Sequence, residues 1–416
     1  MAKRKTVCLS RHRLGIIRAA WLVSTMAVAL AQANNLPASD LVHSSSSSSN
    51  TVTAWLACQE TDYAVLSGSV GLKSRPTSFK KEPAPASGRI VRGVLNFGAD
   101  PSNSIAFIWQ CGEGKLCLDL NRNQDLTDDP AGVFFSGTRP TTDYETFTNV
   151  HLLLNTAVGR CPVLADISFW AFGSRPICRV AMRSFWQGKL TLHGRDWQAG
   201  IVQDVLRQSG SLENGRLLLR AWEKRSQPFD TRDGSLATIP FSRKLFVDGS
   251  AYQLDLVLQS QDGAVKPALQ FVEQPVPLGE LKITGKFIQR LVLPGGPCLV
   301  VLDRPAASVR VPAGSYLQPD IVLEENGAEA FCRSGEAQAG GRIIVAGKTP
   351  VVLNAGGPLT NSVAASRHGQ ELRLDYCLVG VGGETYQLAA QNRSKPPEFA
   401  IYKGAKQVAS GKFEFG

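Results

Sequence analysis

Between Cys117 and Pro130 the chain places an oxygen-bearing side chain at every second position: Asp119, Asn121, Asn123, Asp125, Thr127 and Asp129. Carboxylates, amides and hydroxyls are hard donors, and the ion that collects six to eight of them in a flexible shell is calcium. A tight loop turns its first, third and fifth positions toward one point. Its seventh supplies a backbone carbonyl and its ninth reaches the ion directly or through water. Asp119, Asn121 and Asn123 take the first three places, Asp125 the seventh and Thr127 the ninth.

The run Asp119-Leu-Asn121-Arg-Asn123-Gln-Asp125-Leu-Thr127-Asp128-Asp129 resembles an EF-hand or dockerin-type calcium loop over about 11 residues. It departs at two places. Position six, where glycine permits the sharp turn, is Gln124, and position twelve, where a bidentate Glu closes the shell, is Pro130. Asp128 or Asp129 then has to supply the missing carboxylate. Lys115–Leu118 reads as a strand, so no helix-loop-helix is expected. The resemblance implies a weak calcium site, of roughly 10⁻⁴–10⁻³ M as in extracellular modules, that stiffens a loop. The metal-free alternative is an Asx-rich turn whose side chains bond their own backbone.

Signals for catalysis are sparse. His12 lies in the leader and His43 beside a serine run, which leaves His151, His193 and His368. His193 adjoins a turn, His368 sits in a loop, and His151 opens an apolar strand where a core position is expected. A general base needs an activating partner beside it, and none is apparent. There is no Gly-x-Ser-x-Gly elbow, His-Glu-x-x-His pair or Walker loop. Trp55, Trp109, Trp170, Trp186, Trp197 and Trp222 read as core residues, with sugar stacking the alternative. Arg216–Arg225 reads as an apolar strand with a solvated basic end. No catalytic residue is assigned.

The elements that must position the loop are strands. Leu245–Val247, an Asp248-Gly249 turn and alternating Tyr252, Leu254, Leu256 and Leu258 predict a hairpin with a type I′ turn. Asp262-Gly263 predicts a second turn. Lys189–His193 and Trp197–Val202 predict another hairpin about Gly194-Arg195. Leu372–Val379 alternates with period two, and Phe399–Tyr402 with Lys403–Lys406 predicts a last hairpin. The expectation is an all-β, multidomain, antiparallel sandwich-like architecture with few or no long helices after the leader. The expected division is 51–275, an N-terminal β-rich region, then 276–325, a small middle unit, and 326–416, a C-terminal sandwich.

Residues 1–33 read as a secretory signal peptide. Lys3, Arg4, Lys5, Arg11, Arg13 and Arg18 precede an apolar run from Ala19 to Ala31, and Ala31-Gln32-Ala33 is a small-x-small cleavage site. The run is too short for the roughly 20 residues a spanning helix needs. Residues 34–50, with six consecutive serines at 44–49, read as a tether. The whole chain carries 45 basic and 35 acidic residues, a net +10, and loss of six basic residues with the leader leaves +4. That modest, mixed charge argues against nucleic acid as a partner. Eight cysteines remain outside the leader, and an even count in an exported chain predicts disulfides. Cys111/Cys117 and Cys161/Cys178 are the pairs nearest in sequence.

The sequence therefore predicts an exported, periplasmic or secreted, non-catalytic structural or binding protein with a calcium-stabilised loop and no transmembrane span. A glycan or another envelope protein is the expected class of partner. The runner-up is a secreted carbohydrate-active or other hydrolase with catalytic carboxylates on sandwich loops.

Overall fold

The computed structural model describes residues 50–416 except 74–78, 85–87, 99, 138–142, 157–158, 172–175, 205, 207–214, 232–233, 262–263, 334–340, 348, 370, 390–395 and 414–416. The leader, nearly all of the tether and the Asp262-Gly263 turn fall outside them. The fold is all-β, with several antiparallel sheets in sandwich-like packing and, among the described residues, no helix of seven or more residues.

Three sheets carry most of the chain. The largest has eleven strands. Its centre runs Ser250–Gln261, Lys244–Val247, Leu299–Asp303, Ile288–Leu293, Asp320–Glu325 and Ala328–Cys332. Lys244–Val247 and Leu299–Asp303 pair in parallel, with Leu245 opposite Leu299. The eleven-stranded sheet thus joins strands from all three regions read from the sequence. A five-stranded sheet is ordered Thr238–Pro240, Arg216–Ala221, Arg195–Val202, Ser184–Leu192 and Ala57–Glu60.

Period-two burial explains the layering. Leu245, Val247, Val292, Leu299 and Val301 point into one core with Leu190, Trp197, Ile201, Leu217 and Leu219 of the five-stranded sheet. The intervening Phe246, Leu291, Leu293 and Val300 point into another core, against Leu281, Ile283, Val311, Tyr316 and Val345. A central strand apolar on both faces needs a layer on each side, and here it has one.

Antiparallel pairing also builds the eight-stranded sheet that holds the loop. Its order is Val133–Phe135, Lys115–Leu118, Ser104–Gln110, Ile90–Asn96, Leu66–Lys73, Ile177–Met182, Gly159–Trp170 and Tyr144–Thr156. Trp109, Phe107, Phe147, Ile167, Phe169 and Val180 fill its inner face.

The hairpin about Asp248-Gly249 forms as expected. Val247 faces Ser250, and φ is +52° at Asp248 and +86° at Gly249, the left-handed pair a type I′ turn demands. The other hairpin turns one residue earlier than expected. Leu192 pairs with Arg195, and His193 (φ +46°) and Gly194 (φ +79°) make the turn, because glycine takes its second place, as Gly249 does. At the end of the chain, Glu398–Lys403 pairs with Lys406–Lys412 around Gly404.

Two readings of side chains are corrected. Arg220 is not at a solvated end but 5% exposed. Its Nε donates to Gln198 Oε1 at 2.6 Å, and Nη2 donates to the Arg225 and Gln227 carbonyls at 3.0 and 2.9 Å. Its guanidinium also lies 5.0 Å from the Phe229 ring, so the charge is satisfied inside the fold. His151 is not in the core: its side chain is 64% exposed, with Nδ1 3.8 Å from Glu60.

No two cysteines among the described side chains are bridged. Cys111 lies in the inner core of the eight-stranded sheet, whereas Cys117 packs on the other face with Ile108 and Leu126. Opposite faces of one sheet cannot be joined at disulfide length. The Cys161 side chain lies outside the described residues.

Candidate metal centre

Lys115–Leu118 delivers the chain to the loop and Val133–Phe135 takes it away, both as strands of one sheet and paired to each other. Two anchors hold the intervening residues. Leu126 is buried with Ile108 and Cys117 on the outer sheet face. The segment around Lys80 and Lys81 clips the loop: Lys80 N–H donates to Gln124 O at 2.9 Å, and Leu126 N–H to Lys81 O at 3.1 Å.

Within the loop the odd-numbered side chains form an ordered ladder. Asn121 Oδ1 accepts the Asn123 N–H at 3.0 Å, Asn123 Oδ1 that of Asp125 at 2.6 Å, and Asp125 Oδ1 that of Thr127 at 2.8 Å. Asp119, only 3% exposed, spans the start of the turn. Its Oδ1 accepts from Asn123 N–H and its Oδ2 from Gln124 N–H, each at 3.1 Å. Gln124 has φ +68° and Arg122 φ +62°. Position six thus takes the left-handed backbone that glycine usually provides, held by the Asp119 carboxylate and the Lys80 clip.

The two following carboxylates fold back over this ladder. Asp128 accepts from the side-chain amides of Asn121 and Asn123 at 3.1 and 2.6 Å, and Asp129 Oδ2 accepts the Asn121 N–H at 3.3 Å. Asp129 also leads into the short 3₁₀ turn Pro130–Gly132. There Gly132 approaches so closely that a Cβ would meet the Leu118 carbonyl at 2.2 Å. The chain therefore reverses where a twelfth-position Glu would stand, and Asp128 and Asp129 occupy that side of the loop.

Electrostatics mark two carboxylates differently. Burial, with the nearby charge of Asp129 adding to it, raises the Asp119 carboxyl above its usual range, against the pull of its backbone donors. Asp125 is held lower, by its bonds to Thr127 and then by Lys81 and Lys80. A cation beside Asp119 would offset the repulsion it feels from Asp129. Comparison with protein-family models, curated proteins and solved structures finds no match to this chain.

The donors are mixed amide, hydroxyl and carboxylate. Among the described residues no three His, Cys, Asp or Glu side chains gather as a ligand set. A calcium shell here would draw on Asn121, Asn123 and backbone oxygen besides Asp119 and a carboxylate of the 128–129 pair. Of the residues picked out by spacing, Asp119, Asn121, Asn123, Asp125 and Asp129 are joined in one hydrogen-bonded turn. Thr127 joins the same turn, its N–H and its hydroxyl both donating to Asp125 Oδ1, at 2.8 and 2.6 Å. Asp128, the alternative to Asp129 at this place, makes the closer contact with the two amides. The Lys80–Lys81 clip has no local signal, since it lies some forty residues upstream.

Tryptophan placement bears on the remaining readings. Trp109 and Trp197 are fully buried, while Trp55, Trp170, Trp186 and Trp222 are half-buried. Glu145 is completely buried, accepting from Trp109 Nε1 at 2.5 Å and from Gly112 N–H at 3.0 Å.

Proposed function

We propose that the chain is an exported extracytoplasmic structural or binding protein, non-catalytic, whose Asp119–Asp129 loop takes up calcium weakly and is stiffened by it. Support for export is the basic, apolar, Ala-Gln-Ala order of residues 1–33. The observation that carries the calcium reading is the left-handed Gln124 at the sixth position. It stands within the ladder of odd-numbered oxygens, onto which Asp128 and Asp129 are hydrogen-bonded through Asn121 and Asn123.

The reading draws on the loop alone, because strands and not helices flank the turn. A loop whose ends are fixed in one sheet has little room to open on binding, which favours stiffening over sensing. An ion bound only by the folded state adds stability as RT ln(1 + [L]/Kd).

Isothermal titration of the purified protein with calcium tests this directly. One site of roughly 10⁻⁴–10⁻³ M, lost in Asp119→Ala, is expected. Absence of heat up to several millimolar, or a site untouched by the substitution, would refute it. Export is checked by fractionating cells that express the full chain: the protein should leave the cytoplasm with its N-terminus at Asn34.

A further inference from the structure

An edge strand leaves every second N–H and C=O without a neighbour, and folds guard such edges by shortness, by a bulge, or by a side chain laid across them. Most edges of the three large sheets are guarded. Val133–Phe135 and Thr238–Pro240 have three residues each, Ala57–Glu60 has four and Thr51–Trp55 has five. Tyr144–Thr156 is long, but its pairing is irregular between Phe147 and Val150, where Asn149 has φ +56°. Side chains cap its far end. The Asn103 amide donates to Asn155 O at 2.8 Å and accepts the Asn155 N–H at 2.7 Å, and Arg122 Nη2 donates to Leu153 O at 3.0 Å.

The other edge of the eleven-stranded sheet, Thr360–His368, has none of these guards. Its nine residues pair in unbroken register with Glu371–Val379, and it contains no proline, glycine, lysine or carboxylate. The free groups follow from the neighbouring pairing. Gly380 N–H donates to Glu384 O at 2.8 Å and Leu378 pairs with Tyr386, so the even-numbered residues of Glu371–Val379 turn their backbone toward Thr385–Leu388. The odd-numbered ones turn toward Thr360–His368, which leaves the backbone of Asn361, Val363, Ala365 and Arg367 facing away from the sheet. Among the described residues no hydrogen bond reaches those four N–H and C=O pairs. The hairpin meets its third strand only at Leu378 and Val379, and Val363 and Leu372 are 49% and 50% exposed. A two-stranded ribbon is marginally stable alone, and further strands are what steady it.

A row of alternating backbone donors and acceptors is matched by another extended backbone. The strand's own sequence supplies one. Antiparallel pairing about a two-fold axis at Ala364 sets Val363 opposite Ala365, Ser362 opposite Ser366 and Asn361 opposite Arg367 of a second copy. Outward-facing residues then meet outward-facing residues, as the ladder requires, with about eight backbone hydrogen bonds. No like charges are opposed, the centre is small, and the serine hydroxyls can bond each other. We propose that Thr360–His368 pairs with the same strand of a second copy, so that the chain forms a two-fold dimer whose eleven-stranded sheets run on as one. This edge belongs to a different sheet from the calcium loop and does not depend on it.

The experiment is sedimentation velocity of the purified protein over roughly 1–100 µM, where a concentration-dependent dimer is expected. Ala364 is exposed and lies on the proposed axis, so Ala364→Lys and Ala364→Glu each set like charges against each other. Each should raise the dimer dissociation constant by at least roughly tenfold, and an equimolar mixture of the two should restore it. Ala365→Pro removes an outward N–H while keeping the hairpin's own ladder, and it should weaken the dimer as well. Melting curves identify any variant that fails to fold, and Ala365→Pro carries the test if the charged variants do fail. A monomer at every concentration, a dissociation constant unchanged in the folded variants, or a mixture no tighter than either charged variant alone would overturn the proposal.

Discussion

The Asp119 carboxylate accepts the backbone N–H of Gln124 at 3.1 Å, and Gln124 holds φ +68°. A buried acid thus fixes a left-handed turn in a residue that has a Cβ, at the one position where a calcium loop usually has glycine. The left-handed backbone costs a non-glycine residue about 1–2 kcal/mol.

Replacing Gln124 with glycine should remove that cost. Gln124→Gly is expected to gain about 1 kcal/mol of stability, with the unfolded-state entropy of glycine taking back a part. It should also tighten calcium binding. Urea denaturation with and without the ion checks both, and destabilisation by glycine would show that the side chain matters more than the backbone.

Glu145 is the buried acceptor for the Trp109 indole and the Gly112 amide. Glu145→Ala removes the acceptor from both donors inside the core. A loss of about 3 kcal/mol in denaturant unfolding is expected, since unmet buried donors cost about 1–3 kcal/mol each. A loss below 1 kcal/mol would mean that the donors find other acceptors.

Asp303 sits between two arginines. Arg195 Nη2 lies 3.2 Å from it and Arg290 Nε 3.6 Å, and Arg290 Nη2 donates to the Leu219 carbonyl of the facing sheet at 2.6 Å. Asp303→Ala leaves the buried Arg290 charge without its carboxylate, so a loss of about 3–5 kcal/mol is expected. Arg290→Met with Asp303→Ala should recover much of it, which a double-mutant cycle measures.

The acid limb of stability should include Asp196. Its carboxyl lies below the usual range because Lys189, at 2.7 Å, and the Thr191 hydroxyl, also at 2.7 Å, bond to its charged form. A carboxyl lowered on folding adds stability above its unfolded pKa and loses it as pH falls through the folded value. Asp196→Asn should flatten the drop in melting temperature below about pH 4, leaving its neutral-pH value little changed. An identical acid limb would contradict this.

How far the fold could be read from the sequence depended on whether a residue's partners were near in the chain. Asp248-Gly249 announced its hairpin because a type I′ turn needs left-handed residues at both centres, and the flanking alternation was local. His193-Gly194 obeys the same rule, and the one-residue error came from giving glycine the first place. The burial of Arg220 has no local signal, because Gln198 on the neighbouring strand and the carbonyls beyond the next turn are what satisfy it. The parallel pairing of Leu245 with Leu299 leaves no local trace at all. In the loop, spacing was enough to find the ladder of odd-numbered oxygens. The Lys80–Lys81 clip and the approach of Asp128 depend on tertiary placement.

Stiffening of the Asp119–Asp129 turn by calcium is tested most directly by thermal melting in EDTA and in calcium up to several millimolar. A melting temperature that climbs with calcium, and a climb abolished in Asp119→Ala, is the predicted result. A flat response in the unaltered protein, or an equal climb in Asp119→Ala, would contradict it and leave the loop a self-bonded polar turn.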